Sequence, residues 1–319
     1  MFRKLTMPLL LALMLVIAAC TPVLTSLPQV PSTVTPQQNA SPQTFIDALG
    51  RTVKIAAKPM RIVSLAPSVT EILFAIGAGP QVVGRTKFCN YPPEAISLPT
   101  IGGFSAKSIS VEAILDLEPD LVVAGSKSQK DVVAALEAQG VSVFTLAPET
   151  LTDIEADIQT LGEITGNAAS ARTLVETMQS RIDAVTTKVK TIPAEKRLRV
   201  FYEVWHEPLT TTSRSTFIGE LLTLAGATNI FNDLTETYPE VSAEQIIESD
   251  PQIILGPSSH SDQLTAAVIA ARPGWDKLAA VKSGAIYIVD AETISRAGPR
   301  VVDALESIVG FLYPELFKP

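Results

Sequence analysis

The stretch Ser110-Val-Glu-Ala-Ile-Leu-Asp-Leu-Glu-Pro-Asp-Leu-Val-Val123 returns without a gap as Ser242-Ala-Glu-Gln-Ile-Ile-Glu-Ser-Asp-Pro-Gln-Ile-Ile-Leu255. Ser, Glu, Ile and Pro coincide, and most other pairs keep charge or hydrophobicity. Two further units recur in the same order. Glu71-Ile-Leu-Phe-Ala-Ile-Gly-Ala78 pairs with Glu220-Leu-Leu-Thr-Leu-Ala-Gly-Ala227, and the apolar run 141–146 answers 285–289. Each copy opens as a helix and passes into a β-branched run, so the repeat is a helix–strand unit. Such units belong in a parallel sheet flanked by helices, and the chain is predicted to be an α/β protein of two similar halves. A bland alternative is that Ser-x-Glu before an apolar run marks only a generic helix start.

The ends bound the compartment. Arg3 and Lys4 precede an apolar run over 7–19, and Ile17-Ala-Ala-Cys20 places small residues ahead of a cysteine, the pattern of a bacterial lipoprotein signal. Residues 1–19 are therefore expected to be removed and Cys20 to carry the lipid; the alternative is an ordinary secretory signal with a chance cysteine. Residues 20–44 are rich in Thr, Pro, Ser and Gln, lack charge over 21–43, and are expected to form a disordered tether. What remains suits an N-terminal lobe over 45–166, a linking helix over 167–192 and a C-terminal lobe over 193–319.

The formal net charge is −8 and becomes more negative once Arg3 and Lys4 are lost, which argues against a nucleic-acid partner. Of the 2 cysteines, lipidation of Cys20 leaves Cys89 without a partner. The 2 histidines, His206 and His260, make a zinc site of clustered His and Cys improbable, and no metal site is expected. No Gly-x-Ser-x-Gly elbow is present, and a redox cluster would need more cysteines. An enzyme is not expected; a redox enzyme on a related two-lobed fold is the less favoured alternative.

Along the chain, 61–66 reads as a buried strand followed by a helix start in which Ser68 and Glu71 have capping-box spacing. A long loop over 85–107, broken by Asn90-Tyr-Pro-Pro93 and Gly102-Gly-Phe104, follows a second strand near 82–84. Long loops at strand ends of α/β lobes are good places for a binding surface. Over 168–190, Leu174, Met178, Ile182, Val185 and Val189 form one apolar stripe, predicting a single long helix between the halves. Such a helix would join the lobes stiffly; the alternative is a surface helix of the first lobe.

These residues resemble the helical-backbone solute-binding proteins that deliver metal chelates to ABC importers. The resemblance rests on Arg61-Ile-Val-Ser-Leu-Ala-Pro-Ser-Val-Thr-Glu71, Asn90-Tyr-Pro-Pro93, Ile101-Gly-Gly-Phe104, Ser110-Val-Glu112 with Glu118-Pro-Asp-Leu-Val122, Val241-Ser-Ala-Glu244 and Arg296-Ala-Gly-Pro-Arg300. The Tyr-Pro-Pro loop and the Arg-Ala-x-Pro-Arg turn are most similar to the cobalamin-binding branch. The resemblance implies two Rossmann-like lobes with central parallel sheets, one long backbone helix, and a ligand cleft between the lobes. It implies capture of a corrinoid, with a ferric siderophore or haem as the alternative, and no cofactor of the protein's own. It implies a monomer, held outside the cytoplasm by its N-terminal lipid, that works with a permease dimer and its ATPase subunits.

Carried over residue by residue, the resemblance places Phe88, Phe104 and the turn from Glu292 to Arg296 against the ligand, with Phe at two positions where that branch has Tyr and Trp. It assigns Glu112 and Glu244 to salt bridges with permease arginines, although both could merely complete their helix starts. From the residues themselves, Phe88, Tyr91, Phe104 and Trp205 lie on loops and offer flat apolar walls to a large planar ligand. His206 could ligate a chelated metal, or be a solvated loop histidine. Cys89 could offer a thiolate, or be inertly buried.

Overall fold

A computed structural model describes residues 42–260 and 262–317. The expected signal sequence, Cys20 and most of the expected tether lie outside the described residues. The chain opens on an antiparallel hairpin, β1 (Gln43–Ile46) and β2 (Thr52–Ile55). This corrects the tether boundary, because β1 starts inside the segment expected to be unstructured. Backbone pairing with β2 and the edge-on packing of Phe45 against Phe144 hold β1 in place.

The first lobe is a parallel sheet of β3 (Ile62–Ser64), β4 (Val82–Arg85), β5 (Leu121–Ala124) and β6 (Val143–Thr145), in the order β4-β3-β5-β6. Its helices are α1 (Pro67–Ala75), α2 (Val111–Leu115), α3 (Lys130–Glu137) and α4 (Leu151–Ile164). Then comes α5 (Ala168–Val189), 22 residues and about 33 Å long at the usual rise per residue.

The second lobe repeats the plan. Its strands are β7 (Arg199–Tyr202), a short hairpin of β8 (Trp205–His206) and β9 (Leu209–Thr210), then β10 (Thr228–Asn229), β11 (Ile253–Pro257) and β12 (Ile286–Val289). The parallel sheet runs β10-β7-β11-β12, the same second-first-third-fourth order as in the first lobe. Its helices are α6 (Phe217–Leu224), α7 (Ala243–Ser249), α8 (Ala266–Ala271), α9 (Ala279–Ser283), α10 (Ala291–Ile294) and α11 (Val301–Leu312). The repeated stretches become α2 with β5 and α7 with β11, at matching places in the two sheets.

Strand alternation explains how the lobes are joined. Ile62, Leu121 and Val123 point to one face of the first sheet, while Val63, Val122 and Ala124 point to the other. In the second sheet Val200, Tyr202, Ile253 and Leu255 take one face, and Phe201 and Ile254 the other. The first set from each sheet enters one continuous core with Val175, Met178, Val185 and Val189 of α5, and Leu174 and Ile182 pack against it. The linking helix is thus embedded in a core common to both lobes. Arg181 on its outer side reaches Asp303 (2.6 Å) and Glu306 (2.6 Å) of α11. Opening the lobes would expose apolar surface, which opposes hinge motion.

The start of α1 also differs from the sequence expectation. Its N-cap is Ala66, without a side-chain cap, and Pro67 sits at the first turn, where a missing N–H costs nothing. Glu71 therefore lies beyond the first turn and does not form a capping box with Ser68. It is buried and committed elsewhere.

Candidate functional site

A cavity of about 550 Å³ lies where the two lobes meet. The first lobe contributes Pro67 and Ser68 from α1, Phe88 and Phe104 from the long loop, and Gly125 after β5; the second contributes Ser259, Ala291, Glu292, Ser295, Arg296 and Ala297. Four residues picked out from the sequence, Phe88, Phe104, Glu292 and Arg296, share this cavity. The two phenylalanines remain 48% and 39% exposed.

The loop that carries the phenylalanines is pinned by buried polar groups. Arg85, itself buried, donates to the carbonyls of Ala95 (2.7 Å), Thr86 (3.0 Å) and Ile96 (2.6 Å). Gly102 holds φ at +109°, and a side chain there would meet the Ser108 carbonyl oxygen at 2.1 Å, so only glycine fits that turn. The amide of Gln129, fully buried, donates to the carbonyls of Leu65 (2.9 Å) and Phe104 (2.9 Å) and accepts from the N–H of Gly125 (3.0 Å). One side chain thereby ties Phe104 to the strand ends that floor the cavity.

Beside Phe88 lies a charged cluster that crosses the lobe boundary. Arg296 Nη1 donates to Glu71 (2.8 Å) and to the Asn90 side chain (2.8 Å), while Nη2 reaches the Phe88 carbonyl (3.3 Å) and Glu292 (3.1 Å). Arg300 makes a two-pronged pair with Glu71 (2.9 and 2.7 Å). Asn90 donates in turn to Glu292. Glu71 is almost completely buried, with a side chain 2% exposed. Its hydrogen bonds, more than its charge, hold the Arg300 guanidinium above its ordinary pKa. Tyr91 is half exposed and does not line the cavity; the Arg300 guanidinium lies 4.0 Å from the centre of its ring. Glu71, Asn90 and Arg300 were not picked out as site residues from the sequence. Arg296 and Arg300 lie in the turn between α10 and α11, so no helical period linked Arg300 to Arg296.

Trp205 and His206 stand elsewhere. Their rings lie 5.1 Å apart, and the Trp205 indole N–H donates to the Glu207 carbonyl (2.7 Å). His206 lines a separate cavity of about 480 Å³ together with Glu207, Ala243, Glu244 and Arg272. Cys89 is buried, with its sulfur 3.1 Å from the Thr86 hydroxyl.

Glu112 and Glu244 occupy matching positions at the starts of α2 and α7. Ser110 accepts from the N–H of Ala113 (3.1 Å), and Ser242 from that of Gln245 (3.2 Å). Both glutamates are exposed, and among the described residues neither forms an ion pair. Its own backbone N–H, then the Ser242 hydroxyl, hold the Glu244 carboxyl below its ordinary value.

Two parallel-sheet lobes around a common core, with an aromatic-walled cavity at their junction, define a solute-binding protein. The chain belongs to the periplasmic binding protein family, which it matches over residues 62–293. It is similar to an uncharacterized ABC transporter substrate-binding lipoprotein, YvrC, of Bacillus subtilis, at 33% identity over 282 residues, covering 87% of each chain. Among solved structures it is similar to the periplasmic vitamin B12 binding protein BtuF of Vibrio cholerae, with a TM-score of 0.69 and 27% identity over 82% of this chain and 99% of that one. It is also similar to the periplasmic heme-binding protein RhuT of Roseiflexus, with a TM-score of 0.71 and 25% identity over 80% and 98%. The chain is an extracytoplasmic binding protein and not an enzyme. No helix among the described residues is long and apolar enough to cross a membrane.

Proposed function

We propose that this protein is the lipid-anchored receptor of an ABC importer and captures a corrinoid of the cobalamin type. The observation that carries this reading is the pairing, in one cavity, of two exposed phenylalanine rings with a charge-balanced polar rim. A volume of about 550 Å³ lies within the roughly 300–1,000 Å³ usual for small-molecule sites. The rings offer apolar faces to a flat macrocycle. Beside them Arg296 and Glu292 line the cavity, with Glu71 and Arg300 paired behind them, so the rim presents hydrogen-bonding groups without excess positive charge. Such a rim suits peripheral amides better than the carboxylates of haem or the anionic groups of many siderophores, which need uncompensated Arg or Lys. Similarity to a vitamin B12 binding protein supports the same ligand.

Haem is the second reading, supported by the similarity to RhuT. Against it, His206 lines a different cavity from Phe88 and Phe104 and is not placed to ligate iron there. The family resemblance assigns Glu112 and Glu244 to the permease, one per subunit of a pair, and their exposure and matching positions support that assignment. Cys20 is assigned to the lipid.

The test is titration of the chain lacking residues 1–20 with cyanocobalamin, cobinamide, haem and a ferric hydroxamate, followed by heat and tryptophan fluorescence. One-to-one binding of the corrinoids is the expected result. Binding of haem or the hydroxamate, with no response to corrinoids, overturns the ligand.

A further inference from the structure

We infer that Glu71 sets the charge preference of the cavity: together with Glu292, this carboxylate of the first lobe balances the two arginines of the second, one of which would otherwise be left unmatched to recruit an anionic ligand. The inference rests on the cavity being the ligand site and deepens that reading by naming what selects against acids.

The duplication supplies the argument. Glu71 of α1 and Glu220 of α6 open equivalent units of the two halves. Both side chains cross to the opposite lobe, but to different partners. Glu220 accepts from the backbone N–H of Leu151 at the start of α4 (2.7 Å). Glu71 accepts from Arg296 and Arg300, whose side chains are only 14% and 17% exposed. A tie between lobes needs nothing more than the neutral donor that serves Glu220. The arginine pair is therefore in excess of a structural clasp, and Arg296 lines the cavity while Arg300 stands behind it.

Charge accounting shows what Glu71 does. With Glu71 and Glu292 ionised, the two arginines are matched. Without Glu71, the cluster carries one unmatched positive charge, beside a wall of low polarity where charge interactions are poorly screened. Glu292 cannot replace it, because that side chain, 40% exposed, is already paired with Arg296 at 3.1 Å and comes no nearer to Arg300 than 4.0 Å. Glu71 does not line the cavity and acts through the arginines, which makes it a positioning residue.

The experiment compares Kd values for cyanocobalamin and for a monocarboxylate of the same corrinoid, in the wild type and in Glu71→Gln, Glu292→Gln and Glu220→Gln. The wild type is expected to prefer the neutral corrinoid. Glu71→Gln is expected to move the ratio at least about tenfold toward the carboxylate, the equivalent of about 1.4 kcal/mol. Glu292→Gln moves it the same way but less, and keeps the test alive should Glu71→Gln fold poorly. Glu220→Gln leaves the ratio unchanged. An unchanged ratio in a folded Glu71→Gln, or in Glu292→Gln if Glu71→Gln does not fold, overturns the inference, as does an equal shift in Glu220→Gln. Should the wild type bind neither corrinoid, the corrinoid reading falls, and the same variants are compared with haem and its dimethyl ester. There a shift toward haem sustains the role of Glu71, and its absence overturns it.

Discussion

Replacing Phe88 with alanine separates the ligand wall from the fold. In the free protein Phe88 is 48% exposed, with the Lys87 ammonium 5.1 Å from its ring centre, so about half of the ring is open to a ligand. A phenylalanine side chain can bury roughly 150–250 Å², so a stacked macrocycle would cover about 100 Å² of it. At about 25 cal/mol per Å², losing that contact weakens binding by about 2.5 kcal/mol, or roughly 60-fold in Kd. The cost in stability is far smaller, about 1 kcal/mol or less, since little of the core depends on an exposed ring. Calorimetric titration with cyanocobalamin and thermal unfolding measure the two quantities on the same sample. Phe88→Leu should fall between wild type and alanine. A Kd within about threefold of wild type in stably folded Phe88→Ala would refute the stacking argument.

Other outcomes follow from the same geometry. Glu112→Ala combined with Glu244→Ala should leave the ligand Kd unchanged and abolish uptake in cells; parallel loss of both would sink the docking assignment. Because the linking helix lies in a core common to both lobes, ligand should leave the small-angle scattering radius unchanged within error, and a hinge-scale contraction contradicts that. Asp157 on α4 gives a pH test: burial, then the Asp153 carboxylate, push it from 3.8 up to about 7, and its Oδ2 is buried without a hydrogen-bond partner. The folded state thus holds a proton that the unfolded state has released, and this group's contribution to stability falls as pH rises between those two values. Asp157→Asn should therefore stabilise little below the lower value and most above the upper, by at most about 4 kcal/mol. An equal effect in thermal unfolding at acid and alkaline pH would contradict the assignment.

The parts legible in the sequence are those governed by periodicity. The duplicated stretches, the buried strands and the stripe from Leu174 to Val189 each carry a local pattern that burial enforces, and they fold where the pattern puts them. What escaped depends on partners distant in sequence. Glu71 mimicked a capping residue, because its spacing from Ser68 is local while its real partner, Arg296, lies 225 residues away. The strand Gln43–Ile46 is mostly exposed and owes its conformation to pairing with Thr52–Ile55, so no apolar alternation announced it. Trp275, fully buried edge-on against Phe201, belongs to a run of short helices whose packing no period describes. At the candidate site, loop aromatics drew attention as a group, yet only Phe88 and Phe104 share the cavity. Tyr91 packs on Arg300 behind it, and Trp205 pairs with His206 in the hairpin β8–β9. Which loops converge is a matter of topology, and composition cannot sort them.

The most direct measurement is a crystal structure of the chain lacking residues 1–20 grown with cyanocobalamin. The corrin ring is expected against Phe88 and Phe104, with Arg296 at a peripheral amide and still paired to Glu71. A corrinoid seated instead in the cavity lined by His206 and Glu244, or in the one lined by Leu151, Arg214 and Glu220, would contradict that placement.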